Sequence, residues 1–115
     1  VILVVEDEFL VRYDLASCLQ AAGYVVIESA NGEEAIAVCH SDAAIDIVIT
    51  DVKLGGPANG WDVAERFRVE RPDVSVLYTS GEEIDRRRCV PGSTFVPKPY
   101  RHSEILSACE ELRGF

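Results

Sequence analysis

The residues best equipped for chemistry are three carboxylates, Glu6, Asp7 and Asp51, the hydroxyl of Ser80 and the amine of Lys98. Each stands at the end of a short apolar run: Val1–Val5 before the acidic pair, Asp46–Thr50 before Asp51, Val74–Tyr78 before Ser80, and Thr94–Val96 before Lys98. Three carboxylates in one cleft repel, and unless a cation neutralises them at least one must bind a proton with a raised pKa. A hard divalent ion removes the conflict. Magnesium prefers an octahedron of oxygens with several retained waters, completed by one or two carboxylates and a phosphate oxygen; manganese is the natural substitute. Lys98 can pair with Asp51 when no anion is present and with a phosphoryl oxygen when one is. The Ser80 hydroxyl can donate to that same oxygen.

Plainer readings exist for each residue. Asp7 or Glu8 can serve as the N-cap of a helix that follows the first apolar run. Asp51 can cap a loop, although a second acid arriving at the same edge weighs against that. Lysines are normally solvated, but Pro97 and Pro99 on either side of Lys98 restrict its backbone and fix where it points. Ser80-Gly81 reads otherwise as a turn.

The elements that must position these groups follow from two alternating periods. Apolar runs at Val1–Val5, Tyr24–Glu28, Asp46–Thr50, Val74–Tyr78 and Thr94–Val96 are rich in Val and Ile, as strands buried on both faces should be. Between them lie helical stripes. Val11, Leu15, Cys18, Leu19 and Ala22 share one face, ended by Gly23, where a positive φ costs little. Asn31 and Glu34 form a capping-box pattern before Ala35, Val38 and Cys39. Gly60, Val63, Ala64 and Phe67 make the third stripe, closed by Arg71-Pro72; Ile105, Ala108, Cys109 and Leu112 make the last. Between Gly81 and Pro91 there is room for a fourth helix of only about two turns. Strands alternating with helices imply right-handed crossovers and a doubly wound, three-layer α/β domain with a five-stranded parallel sheet. Ligands of such sheets bind outside the carboxyl ends of the strands, where the polar residues above converge.

Composition narrows the function classes. A chain of 115 residues with 48% hydrophobic content suits one compact domain, residues 1–115. The longest apolar run is too short to cross a bilayer, and no basic segment followed by an apolar stretch suggests a signal peptide, so the expected location is cytoplasmic, without membrane insertion. The chain opens inside an apolar run without methionine, as a piece of a longer polypeptide would. A formal charge of −9 repels a phosphate backbone and argues against direct nucleic-acid binding. Cys18, Cys39, Cys89 and Cys109 are widely spaced, which points to small buried thiols rather than zinc ligands or a disulfide framework. His40 and His102 sit in helical segments without ligand partners and read as surface residues, and Trp61 as a partly exposed packing residue.

Taken together, Glu6-Asp7, the run Ile47-Val48-Ile49-Thr50-Asp51, Ser80-Gly81 and Lys98-Pro99, in that order at successive strand ends, resemble the receiver domain of two-component response regulators over nearly the whole chain. The resemblance implies a flavodoxin-like sheet of strand order 2-1-3-4-5, the fold for which a chemotaxis regulator is a standard example. It implies phosphotransfer from phosphohistidine on a sensor histidine kinase or a histidine phosphotransfer protein to Asp51, with a conformational change that regulates an output partner or attached domain. By the family pattern Asp51 is the nucleophile, Asp7 a direct metal ligand, Glu6 an acidic partner acting through water, and the backbone carbonyl of Lys53 a further ligand. Lys98 and Ser80 would contact the phosphoryl group. Ser80 rather than Thr79 is the switch hydroxyl because a small residue, Gly81, follows it. Phe95 is either a core residue or the aromatic that turns inward on phosphorylation. The protein would then be a switch and not an enzyme, beyond its own phosphotransfer and slow autodephosphorylation.

Two rival functions keep the same fold. A binding module with constitutive contacts would not need the full acidic set and Lys98. A magnesium-dependent phosphohydrolase would need a second carboxylate near the nucleophile for acid–base work, and Asp51-Val52-Lys53 lacks one two residues on. Two departures from the receiver pattern stand out. The loop Lys53 to Gly60 is longer by about one residue, and Lys53 places a positive side chain beside the site. The distance from Ser80 to Phe95 is short, which shortens the fourth helix and unsettles the face that receivers use for dimerisation or output. Arg86-Arg87-Arg88 fall in that segment, as a local docking patch or as a solvated end.

Overall fold

The computed structural model describes residues 1–113. Five strands, β1 (Ile2–Val5), β2 (Val26–Ser29), β3 (Ile47–Asp51), β4 (Ser75–Ser80) and β5 (Thr94–Pro97), alternate with four α-helices, α1 (Phe9–Ala21), α2 (Gly32–Cys39), α3 (Gly60–Glu70) and α4 (His102–Arg113). All strand pairs are parallel, in the order β2-β1-β3-β4-β5. This is the doubly wound, flavodoxin-like arrangement that the alternation of periods implies. The strand limits fall within two residues of the apolar runs, because pairing and not hydropathy sets them.

Alternation along each strand divides the interior in two. Leu3, Val5, Val48, Val76 and Tyr78 face α2 and α3, where Ala35, Val63, Ala64 and Phe67 meet them. Ile2, Val4, Ile47, Ile49, Leu77 and Val96 face α1 and α4, against Leu15, Leu19, Ile105 and Cys109. Burying each such aliphatic or aromatic side chain contributes roughly 1.5–3 kcal/mol. In the α1 stripe, Leu15 and Leu19 are buried as expected, whereas Ala22 is exposed just past the helix end.

Helix starts are specified locally. The Asn31 side chain accepts the Glu34 N–H at 2.8 Å, and Glu34 reaches back to the N–H of Ala30 at 2.9 Å, one residue short of a full capping box. A complete box forms instead at α3, between Asn59 and Asp62. Gly60, the first residue of α3, is required by space: a Cβ there would overlap the Asp51 carbonyl oxygen and lie 2.7 Å from the Val52 Cα.

The connection from β4 to β5 departs furthest from expectation. Where a helix of two turns was expected, a single 3-10 turn, Arg86–Arg88, is formed. Asp85 caps this turn by accepting the Arg87 N–H at 3.0 Å, and Pro91 and Gly92 follow too soon for another turn. The shortened helix is thus reduced to one turn. Trp61, expected to be partly exposed, is 7% exposed and packs against Tyr78, because α3 lies directly over that strand. All four cysteines are free thiols; Cys39 and Cys109 are buried and Cys18 and Cys89 half-buried. No helix among the described residues is long and apolar enough to cross a membrane.

Candidate functional site

Parallel pairing brings the C-terminal ends of β1, β3, β4 and β5 to one edge, and with them the five residues singled out above. Carboxylate oxygens of Glu6, Asp7 and Asp51 lie within 4.8 Å of one another. Lys98 Nζ sits between two of these acids, 2.6 Å from Glu6 Oε1 and 3.0 Å from Asp51 Oδ2. The Lys98–Pro99 peptide bond is cis.

The acidic pair is not used to cap α1. Its N-cap, Glu8, makes no side-chain capping bond, and Asp7 Oδ2 instead accepts the Gly55 N–H at 3.2 Å across the sheet edge. Glu6 is 3% exposed, with Oε2 accepting the Glu8 N–H at 3.1 Å. Burial pushes its carboxyl above the ordinary value, and the bonds from Lys98 and Glu8 bring it only part of the way back. Burial would by itself lower the Lys98 amine, but hydrogen bonds to Glu6 and Asp51 outweigh it and raise the pKa, so this lysine stays charged. The result is an ion pair between a buried acid and a half-buried lysine.

Asp51 ends β3 half-buried, its Oδ1 accepting the Lys53 N–H at 3.3 Å. Lys53 itself points outward, Nζ 3.6 Å from Glu82 Oε1. Ser80 Oγ is buried at the end of β4 and accepts the Glu82 N–H at 3.1 Å. Phe95 is half-buried on the α2–α3 side of β5, opposite Tyr78 in register. His40 and His102 are exposed; His102 Nε2 lies 2.8 Å from Asp14 Oδ2.

Three contributors escaped the sequence reading. Arg12 Nη1 donates to the Glu6 carbonyl at 2.9 Å and fixes the acidic turn from below, yet on α1 it looks like any surface arginine. Glu82 holds both Ser80 and Lys53, and its place two residues after Ser80 was the available signal. Tyr100 packs on the α1–α4 side beside Lys98; burial, partly offset by the Lys98 charge, pushes its phenol up to about 12.

The donor set is one of hard oxygens converging from two strands, with a lysine as counter-charge. It is chemically suited to a divalent cation and a phosphoryl group and unsuited to a soft metal. A doubly wound parallel sheet that carries acids, a hydroxyl and a lysine at its carboxyl edge defines a class of phosphoacceptor domains. Residues 2–110 match the response regulator receiver domain, and the chain belongs to that family; it is a phosphoacceptor signalling domain of the two-component type.

Among its relatives is the sensor kinase CckA of Brucella abortus, 31% identical over 96% of this chain and 12% of the kinase. Transcriptional regulators from several bacteria match over about half of their own length, so the chain spans only part of the curated relatives it resembles. A response regulator receiver protein from Sinorhizobium medicae superposes with a TM-score of 0.93 at 34% identity, covering 96% of this chain and 91% of that one. The response regulator TrrA of Thermotoga maritima, in complex with Mg2+-BeF, superposes with a TM-score of 0.83 at 27% identity, with 96% of each chain covered.

Proposed function

We propose that Asp51 is the phosphoacceptor and that residues 1–115 work as one receiver domain, taking a phosphoryl group from phosphohistidine on a sensor kinase or phosphotransfer protein. The observation that carries this reading is the placement of Asp51 within 3.0 Å of Lys98 Nζ and beside two further acids, at the carboxyl edge of the sheet. One carboxylate oxygen of Asp51 forms the bond to phosphorus while the bond from phosphorus to the histidine nitrogen breaks, and the imidazole keeps that electron pair. Little covalent chemistry is asked of the protein beyond the nucleophile; positioning and charge stabilisation do the rest.

Asp7, Asp51 and the Lys53 carbonyl would hold magnesium, with Glu6 reaching it through water, and the ion would neutralise charge on the phosphoryl oxygens. Glu6 suits an indirect role because it is the buried member of the three acids, whereas Asp7 is exposed and Asp51 half-buried. Lys98 stabilises the transferred group by leaving Asp51 for a phosphoryl oxygen, and Ser80 donates to another. Phe95, half-buried next to Tyr78, serves as the switch aromatic. The protein acts as a cytoplasmic switch that catalyses only its own phosphorylation and slow dephosphorylation.

An exposed apolar patch supports a protein donor. Phe9, Leu10 and Tyr13 on the first turns of α1 are 61%, 77% and 58% exposed, and Leu10 and Tyr13 share a cleft with Lys98, Pro99 and Tyr100. Such a patch at the rim of the site marks a contact surface.

The test is incubation with magnesium and a small phosphodonor, followed by intact-mass measurement. Wild type should gain one phosphoryl group and Asp51→Asn none. An equal gain by the variant, or no gain by wild type, overturns the assignment.

A further inference from the structure

The three arginines of the 3-10 turn are exposed, Arg87 with 92% of its side chain accessible, yet they are not without partners. Each guanidinium is committed to a partner within the chain. Arg87 Nε pairs with Asp85 Oδ1 at 3.0 Å. The Arg88 guanidinium carbon lies 5.6 Å from the centre of the Trp61 ring, and its Nη2 lies 3.4 Å from Glu65 Oε2. Arg86 lies 5.7 Å from the centre of the Phe95 ring, within cation–π range. Two further bonds tie the segment down: the Val90 N–H donates to the buried Tyr78 hydroxyl at 3.1 Å, and Arg68 of α3 donates to the Pro91 carbonyl.

The other end of the segment is attached differently. Glu82 is held by Ser80 Oγ at 3.1 Å and by Lys53 at 3.6 Å, both on the rim of the Asp51 site. Only residues 83–85 separate it from the 3-10 turn, which makes a short lever. α3 is coupled to the same site from below, since Gly60 donates its N–H to the Val52 carbonyl at 2.8 Å and its Cα packs on the Asp51 backbone.

We propose that Arg86 and Arg88 are positioning residues of a phosphorylation-responsive latch, clasping the β4–β5 connection to Phe95 and to Trp61 of α3 where an α-helix between those strands is absent. The latch rests on the phosphoacceptor reading of Asp51. A phosphoryl group there recruits the Ser80 hydroxyl and competes for Lys53, so both attachments of Glu82 change at once. The displacement reaches the 3-10 turn and loosens Arg88 from Trp61 and Arg86 from Phe95.

Trp61 is the sole tryptophan, so its emission reads the clasp directly. With magnesium and a small phosphodonor, wild type should show a change in Trp61 emission that tracks the gain of one phosphoryl group by intact mass. In Arg88→Gln the latch equilibrium should shift about two- to fivefold, the size of one exposed cation–π contact. Resting emission then moves toward the phosphorylated value and the donor-induced change shrinks, with the same gain in mass; Arg88→Lys recovers part of it. A mass gain in wild type without any change in emission overturns the latch and leaves the phosphoacceptor reading intact. No mass gain in wild type overturns that reading and the latch with it. Wild-type emission and amplitude in Arg88→Gln overturn the latch as well. Should Arg88→Gln lose its helical circular dichroism, Arg88→Lys and Glu65→Gln loosen the clasp from either side, and unchanged amplitude in both is decisive against it.

Discussion

Lys98 Nζ lies closer to Glu6 than to the proposed acceptor, 2.6 Å against 3.0 Å. The lysine therefore has two duties, neutralising a buried acid and attending Asp51. Removing it should affect stability and chemistry separately.

Lys98→Met leaves Glu6 buried and unpaired except for the Glu8 N–H. At neutral pH the variant should lose about 2–4 kcal/mol, since stranding a buried charge costs more than the pair contributes. The sign of the pH dependence follows from the raised pKa of Glu6. A buried acid that resists ionisation costs most above its folded pKa and nothing below its unfolded one, so the deficit should shrink as pH falls from the folded value toward the ordinary carboxylate range. Urea midpoints of both proteins at pH 7 and pH 5 check this; a deficit independent of pH counts against it. Phosphorylation by a small donor should slow by about a hundredfold or more.

Lys53→Ala should leave magnesium affinity unchanged, because only the backbone carbonyl of this residue is assigned to the metal. The Lys53–Glu82 bridge spans the mouth of the site with both side chains largely exposed. Once Asp51 is phosphorylated the Lys53 amine is within reach of the phosphoryl group, and its loss should speed dephosphorylation by about two- to fivefold, the scale of an exposed ion pair. A time course of intact mass after donor removal is the measurement, and an unchanged rate refutes the role.

Gly60→Ala meets backbone atoms rather than a yielding side chain. The start of α3 must shift away from Asp51 and Val52, at a cost of about 2–4 kcal/mol. Because the strain falls on the Asp51 carbonyl and Val52 as well as on α3, magnesium binding followed by calorimetry should weaken in the same variant. Wild-type affinity with a lowered urea midpoint would place the effect in the fold alone.

Tyr100 offers an alkaline signature. Its folded pKa is pushed up to about 12 from an ordinary 10, so between those values the unfolded chain has released a proton that the folded one keeps. Stability is fully present below about pH 10 and falls as pH rises toward 12, by roughly 1–3 kcal/mol from this residue. The difference in urea midpoint between wild type and Tyr100→Phe, taken at pH 8 and pH 11, isolates it. An equal pH dependence in the two proteins would refute it.

Much of this domain is legible in residue order. Apolar runs separated by helical stripes leave few topologies open, because crossovers between parallel strands are right-handed. That logic places Glu6, Asp7, Asp51, Ser80 and Lys98 at one edge before any coordinates are known, and the strand pairings bear out the placement. The capping of α2 by Asn31 was equally visible, since a cap involves neighbours only three residues apart.

Contacts between distant segments were decided in three dimensions. Nothing local says that Lys98 binds Glu6 more closely than Asp51; the two distances are set where the ends of β1, β3 and β5 meet. Trp61 is buried because α3 lies across β4, and the arginine triplet finds Trp61, Glu65 and Phe95 only because the connection that carries it is too short to form a helix. Three arginines in a row have no period that assigns partners. The residue order by itself determined the sheet, its carboxyl edge and the site placed there, because periodicity and handedness are local properties. How that site is coupled to the rest of the molecule was settled only by tertiary packing, which alone chooses among the partners that many charged side chains can reach.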